Sequence, residues 1–222
     1  MGSSDIRMKH QTEDYFKHAR TEVLPFLPSK LEKVLELGAA SGATFATIKQ
    51  KHPNVWGYGI ELDKEAAKTA EGVFDIVKTG YIEGVKFEND IAPESLDLVL
   101  CMDILEHLVD PWAQVARIVP LMREGGRLII SVPNVRNFKF LMRLLFKGDF
   151  NYVDAGILDR THLRFFTFET AQELGTRAGL KPHYLGGTKP PKPFSAKGII
   201  KILTFGMLEP IMQKQVLVVL EK

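Results

Sequence analysis

A single cysteine, Cys101, is the only thiol in this chain. It excludes an internal disulfide framework and suits a reducing cytoplasm, the expected location. Cys101 sits inside an apolar run, which favours a buried, inert thiol over a nucleophile. Also missing is any run of about 18 apolar residues, so no membrane-spanning helix is expected. The stretch 1–30 is charged and mixed, without the apolar core of a signal peptide. Met1-Gly2 opens as a myristoylation signal does, but Ile6 stands where Ser or Thr is needed. No charge of one sign dominates: 29 Lys and Arg against 27 Asp and Glu leave a net charge of +2. That balance is too small to argue for a nucleic-acid partner. The 222 residues suffice for a single α/β domain, 1–222, with its own core, and no internal repeat divides them.

What is present starts with Lys33-Val34-Leu35-Glu36-Leu37-Gly38-Ala39-Ala40-Ser41-Gly42. A Val- and Leu-rich run ends in a turn of small residues, and a helix-compatible segment, 43–51, follows. Strand, glycine turn and helix in that order let a nucleotide-like ligand approach the backbone, because Gly38 and Gly42 carry no Cβ. Further strands are expected at 55–62, 76–79, 96–102, 127–132, 181–185 and 215–220. Helices are expected at 14–27, 64–73, 112–122 and 167–178. Asp110-Pro111 caps and opens the third of these, and Gly179 stops the last. This alternation predicts a mostly parallel sheet with helices on both faces and a ligand beyond the carboxyl ends of the strands. Nicotinamide binding is disfavoured, because the glycines do not supply Gly-x-Gly-x-x-Gly.

The ordered blocks Val34-Leu35-Glu36-Leu37-Gly38, Gly59-Ile60-Glu61-Leu62-Asp63, Leu96-Asp97-Leu98-Val99-Leu100, Leu105-Glu106-His107-Leu108 and Gly125-Gly126-Arg127 resemble the class I S-adenosylmethionine-dependent methyltransferases. The likeness covers about 15–135, and 215–220 resembles that fold's closing strand. It implies a Rossmann-like seven-stranded sheet, mostly parallel with the last strand antiparallel. It also implies S-adenosylmethionine as methyl donor and S-adenosylhomocysteine as product. Carried over, Gly38, Ala39, Ala40 and Gly42 form the turn against the methionine part. Glu61, with Leu62 beside it, accepts hydrogen bonds from the ribose hydroxyls. Glu36 supports the glycine turn or faces the methionine amine, and Asp103 lies at the cofactor's edge. The sequence departs from the family in two places. Ala40 replaces the middle glycine and fits if its φ is negative. After the third strand Tyr81 replaces the usual acid and would stack on adenine, with Asp90 as the alternative.

Methyl transfer from a sulfonium needs the acceptor about 3 Å from the methyl carbon and freed of its proton. Two segments carry suitable groups. In Asp103-Ile104-Leu105-Glu106-His107, a helix would place positions 103, 106 and 107 on one face. The segment 158–167 is dense in titratable and aromatic groups and would close over the site. Asp103, His107 and His162 are the catalytic candidates. Together the segments resemble the eukaryotic small-RNA 2′-O-methyltransferases, whose acid-x-x-Glu-His element and later His hold a divalent metal. Ubiquinone-pathway O-methyltransferases share the first element. This likeness implies Asp103, Glu106, His107 and His162 as metal ligands, where the ion would lower an alcohol's pKa. Mixed oxygen and nitrogen ligands suit Mn²⁺, Fe²⁺ or Zn²⁺ better than Mg²⁺. Without a metal, His107 or His162 serves as base. A third reading leaves Glu106 and His107 structural.

Ser131-Val132-Pro133-Asn134, Asp154-Ala155-Gly156 and 158–167 are similar to runs in bacterial methyltransferases of polysaccharide and natural-product pathways. The expected function is O-methylation of a hydroxyl on a sugar or small metabolite. The alternatives are an RNA 2′-hydroxyl methyltransferase, with steep salt dependence of RNA binding, and a catalytically inactive cofactor-binding regulator. Residues 1–30 are expected as an N-terminal helical cap, and 136–167 and 186–212 as substrate-side caps. The basic stripe Arg136, Lys139, Arg143 and Lys147 reads as a solvated helix face over a core of Phe138, Leu141, Leu144 and Leu145. The other reading makes it a contact for an anionic substrate or a membrane surface. The oligomeric state is open.

Overall fold

Alternating apolar residues assign both faces of the central strands. In the computed structural model, which describes residues 18–188, 195 and 202–222, Leu35, Leu37, Val99 and Cys101 pack into one core. Val34, Leu98 and Leu100, one residue out of phase, pack into a second core on the opposite face. Strands buried on both sides need helices over both sides. The strands are β1 (Lys33–Leu37), β2 (Trp56–Glu61), β3 (Ile76–Thr79), β4 (Leu96–Met102), β5 (Met122–Pro133), β6 (Lys181–Gly187) and β7 (Gln215–Glu221). The helices are α1 (Ala43–Lys51), α2 (Lys64–Ala70), α3 (Pro111–Ile118), α4 (Phe138–Lys147), α5 (Phe168–Thr176) and α6 (Glu209–Met212). The seven strands form one sheet in the order β3-β2-β1-β4-β5-β7-β6. The β1–β2, β1–β4, β2–β3 and β4–β5 pairs are parallel, and β7 runs antiparallel to both β5 and β6. Strand order reverses between β1 and β4, the switch point where such sheets bind ligands.

Two local details hold this arrangement. Asp97, buried at the start of β4, accepts the N–H groups of Glu32 and Lys33 at 2.7 Å each, which ties β1 to β4. Gly57 leaves room for Phe45, whose ring would lie 2.2 Å from a Cβ there, and Phe45 stacks on Phe74 at 4.3 Å.

Several element boundaries differ from the sequence expectation. The helix expected at 14–27 begins outside the described residues. Within them the segment holds only a 3-10 turn, Thr21–Phe26, with Pro25 inside it, where an α-helix would lose a donor. The helix expected at 64–73 ends at Ala70. The helix expected at 112–122 gives way to a 3-10 turn, Val119–Leu121, containing Pro120, and Met122 already belongs to β5. Of the substrate-side cap expected at 186–212, residues 189–194 and 196–201 lie outside the described residues. The rest is interrupted at Phe205 and Gly206, both at positive φ, before α6. Phe138, Leu144 and Leu145 do not form the expected core under a basic face: α4 has no buried residue. Cys101 is fully buried, and burial pushes its thiol pKa upward, as an inert thiol requires.

Candidate functional site

The chain leaves β1 through a turn made of strained backbone. Gly38 and Gly42 have φ of 71° and 82°, and Ala40 has φ of 48°. The negative φ under which an alanine fits this turn without strain is not the one Ala40 adopts. Its conformation is imposed from outside. The Ala40 N–H donates to Glu61 Oε2 at 2.8 Å, while the Gly38 and Ala39 N–H groups both donate to the Ile60 carbonyl at 2.9 Å. Left-handed backbone costs a non-glycine residue roughly 1–2 kcal/mol, and glycine's extra unfolded-state entropy takes back about 0.4–1 kcal/mol. Ala40→Gly is thus expected to stabilise the fold by roughly 0.5–1 kcal/mol, read as a higher urea midpoint at unchanged slope.

Glu61 ends β2 and serves the neighbouring loops as an acceptor. Its Oε1 takes the N–H groups of Leu62 and Asp63 at 2.8 and 2.9 Å. Burial raises its pKa, and the three backbone donors pull in the opposite direction. A carboxylate offers about four lone-pair positions, so one stays open towards the cavity in front.

That cavity has a volume of 640 Å³ and is lined by the loops that follow β1, β2, β3 and β4. Glu36, Gly38, Ala39, Ala40, Glu61 and Leu62 line it, and so do Tyr81, Asp103 and His107. Gly42 sits behind the turn as the cap of α1. Tyr81 stands at the wall where the acid after the third strand was sought. Asp90 does not line the cavity: it accepts from the Tyr58 hydroxyl at 2.9 Å and pairs with Lys78 at 3.1 Å. Glu36 is buried with Oε2 lacking any hydrogen-bond partner. Desolvation pushes its carboxyl up to about 8; Glu61 adds to this, while Arg20 and a hydrogen bond with Thr44 oppose it. Arg20, Thr44 and His18 also line this cavity, and sequence reasoning missed them. Arg20 pairs with Asp103 across 83 residues, a contact with no local sequence signal.

A second cavity, of 680 Å³, opens on the other side of Asp103 and His107, which line both. Its walls include Glu106 and His162, with Lys139, Phe140 and Arg143 from α4. The expected single helix face over 103–107 is absent. Asp103 takes φ of 53°, donates its N–H to the Ser131 carbonyl at 2.9 Å, and pairs through its carboxylate with Arg20 and with the Ser131 hydroxyl at 3.2 Å. Only Leu105–His107 form a helical turn, of 3-10 type. Asp103 therefore stands apart from the other three residues of the expected metal set.

Those three do meet. One potential ligand atom each from Glu106, His107 and His162 lies within 4.8 Å of the others. The Glu106 carbonyl accepts the N–H groups of Leu163 and Arg164 at 2.8 and 3.0 Å, which draws the 158–167 segment over β4. His162 Nδ1 faces the Ile157 carbonyl at 3.0 Å and His107 Nδ1 faces the Thr161 carbonyl at 3.2 Å. A carbonyl only accepts, so each Nδ1 carries the proton. The rings meet edge to face at 4.8 Å. His162 Nε2 lies 4.0 Å from Glu106 Oε1. Both Glu106 oxygens are buried without a hydrogen-bond partner, and burial pushes the carboxyl up to about 8.

The family profile described as "Methyltransferase domain" matches residues 8–185. A ubiquinone biosynthesis O-methyltransferase of Aeromonas salmonicida is 28% identical over 161 residues, covering 70% of this chain and 66% of that protein. A protein of the same description from Xanthomonas oryzae is 30% identical over 156 residues, covering 62% and 64%. The chain thus spans just under two thirds of the length of these relatives. Among solved structures, a SAM-dependent methyltransferase from Archaeoglobus fulgidus superposes with a TM-score of 0.64 at 19% identity, covering 95% of this chain and 97% of that one. A possible histamine N-methyltransferase from Thermotoga maritima gives 0.62 at 18% identity, covering 92% and 88%. The profile match over most of the chain, on a seven-stranded sheet closed by an antiparallel strand, means that this protein belongs to the class I S-adenosylmethionine-dependent methyltransferases.

Proposed function

We propose that the chain moves a methyl group from S-adenosylmethionine to a hydroxyl of a small molecule. The observation that carries this reading is the shared wall: Asp103 and His107 border both the cavity behind the glycine turn and the cavity holding His162. The donor fits the first cavity on the chemistry of its walls. A buried carboxylate oxygen of Glu36 lacks a partner there, and the amino group of the donor's methionine part is the cation it needs. Arg20 would meet the methionine carboxylate, Glu61 a ribose hydroxyl and Tyr81 the adenine face.

S-Adenosylmethionine, when bound, supplies an electrophilic methyl group and leaves as S-adenosylhomocysteine. The protein's part is position and proton. The second cavity would hold an acceptor hydroxyl in line with that methyl group, and His107 or His162 would take the hydroxyl proton. The named function of the relatives makes a phenolic hydroxyl of quinol type the first acceptor to test, with sugar hydroxyls next. A second reading adds a divalent cation held by Glu106, His107 and His162. It is favoured by the two partnerless, buried Glu106 oxygens beside two imidazoles. Such an ion would polarise the acceptor oxygen and lower its pKa.

The test begins with the donor. In the free protein Glu36 titrates at about 8, above its ordinary value of 4.5. A cation against it favours the ionised form. S-Adenosylmethionine binding at pH 7 is therefore expected to release about one proton, and affinity to rise with pH up to about 8 and then fall as the donor's own amino group loses its proton. Calorimetry in buffers of different ionisation enthalpy reads the proton, and Glu36→Gln should abolish its release. In the free protein the sign is opposite for stability: Glu36's contribution is fully present below pH 4.5 and is lost as pH rises through about 8. Turnover is read with labelled donor against a panel of phenolic and sugar hydroxyls. Failure of both S-adenosylmethionine and S-adenosylhomocysteine to bind would overturn the proposal.

A further inference from the structure

Helix α4 turns its more apolar side outward. At 3.6 residues per turn, Phe138, Leu141, Met142, Leu145 and Phe146 fall within one arc of roughly 140°. Leu145 is 70% and Phe146 77% exposed. Lys139, Arg143 and Lys147 occupy the adjoining arc of roughly 80°. The remaining side carries Phe140, whose ring meets Phe150 at 5.9 Å, and Phe150 in turn meets Phe165 at 6.0 Å. The helix is thus anchored to the body through one side, with Leu141 and Met142 half-buried, while Phe138, Leu145 and Phe146 of the apolar arc are left exposed. Residues 136–148 hold Arg136, Lys139, Arg143 and Lys147 and no acid. Arg136 pairs with Glu169 and Arg143 with Asp149, whereas Lys139 and Lys147 form no ion pair among the described residues. A second apolar segment adjoins the base of this helix. Asn134 and Asn137 donate to the carbonyls of Pro210 and Gln213, which follow an exposed stretch with Leu203, Phe205 and Met207 at 72%, 95% and 81% exposure.

We propose that α4 docks on an anionic phospholipid bilayer, with Phe138, Leu145 and Phe146 in the headgroup boundary and the lysines against lipid phosphates. Charge decides between occupants. An amphipathic helix with a basic flank and an aromatic-rich apolar face fits an interface that is apolar beneath and negative above. A second copy of this chain, related by a two-fold axis through α4, would set the same basic arc against itself. Lys139, Phe140 and Arg143 line the second cavity, so docking would bring that cavity's mouth to the bilayer. Delivery of a bilayer-partitioned acceptor is a consequence that also rests on the methyl-transfer reading; docking itself does not.

The test is sedimentation of the full chain with vesicles of phosphatidylcholine alone or with one third phosphatidylglycerol, at low and high salt. The expected result is at least about tenfold tighter binding to the anionic vesicles, weakened by salt. The double variant Leu145→Asp, Phe146→Asp is expected to lose that binding by at least about tenfold while keeping the parent's circular dichroism spectrum and cooperative urea unfolding, which report an intact fold. Absence of binding to anionic vesicles at low salt, or a double variant that binds as the parent does, overturns the proposal. So does light scattering that shows a dimer dissociated by the double variant, with no vesicle binding. Because vesicle binding is read without turnover, a failed methyl-transfer assay leaves it standing, and the reverse also holds.

Discussion

Glu61→Gln is expected to weaken S-adenosylmethionine binding by at least about 100-fold, or about 2.8 kcal/mol, while the protein stays folded. The amide matches the carboxylate in shape but not in hydrogen-bond sense. Glu61 accepts three backbone N–H groups, from Leu62 and Asp63 on Oε1 and from Ala40 on Oε2. A glutamine can turn its oxygen to the first two only by pointing an NH₂ at the third. Ala40 sits at φ of 48° and loses the bond that holds it there. The glycine turn then relaxes away from the shape in which its backbone meets a ligand, and the charge-assisted bond to a ribose hydroxyl is lost as well. Titration calorimetry reads the affinity, and a urea melt is expected to show a loss of about 1–3 kcal/mol. Unchanged affinity would remove Glu61 from the cofactor's binding groups.

His162→Ala is expected to lower turnover about 10²–10⁴-fold, the usual worth of a positioned proton acceptor, with donor affinity held within about twofold. The separation of the two effects follows from position: His162 lines the second cavity and not the first. Metal analysis of the purified parent and variant divides the two readings of the cluster. A divalent ion bound in the parent and lost in the variant, with turnover sensitive to chelator, assigns Glu106, His107 and His162 as ligands. Turnover indifferent to chelator and an ion-free parent assign His162 to proton transfer. Full turnover in the variant removes His162 from the acceptor chemistry altogether.

The first cavity was readable to a large extent because its residues follow the ends of consecutive strands. Gly38 follows an apolar run, Glu61 ends another and Tyr81 comes after the short strand 76–79, and in a parallel sheet those positions converge without further information. Asp103 was also found, but its partners were not. It was grouped with Glu106 and His107 by assuming a helix; left-handed backbone at Asp103 and its contacts with Arg20 and Ser131 separate them. Arg20 had no signal, since a lone arginine in a charged N-terminal stretch looks solvated. Ala40 illustrates the same limit: residue type disfavours positive φ, and the bond its N–H donates to Glu61, 21 positions later, holds it there.

Periodicity and turn chemistry are local, so the amino-acid sequence alone determined the alternation of strands and helices, the small-residue turn after β1 and the acid that ends β2. Those features require only neighbours a few positions apart. The tertiary structure decided which groups meet over long separations: Arg20 with Asp103, and Glu106 and His107 with His162. It also decided which way α4 faces. Its apolar residues would pack equally well inward by pattern, yet Phe140 meets Phe150 on the body side while Leu145 and Phe146 stand out to solvent. A helix repeat defines two faces, but the body against which one of them packs is built from distant parts of the chain.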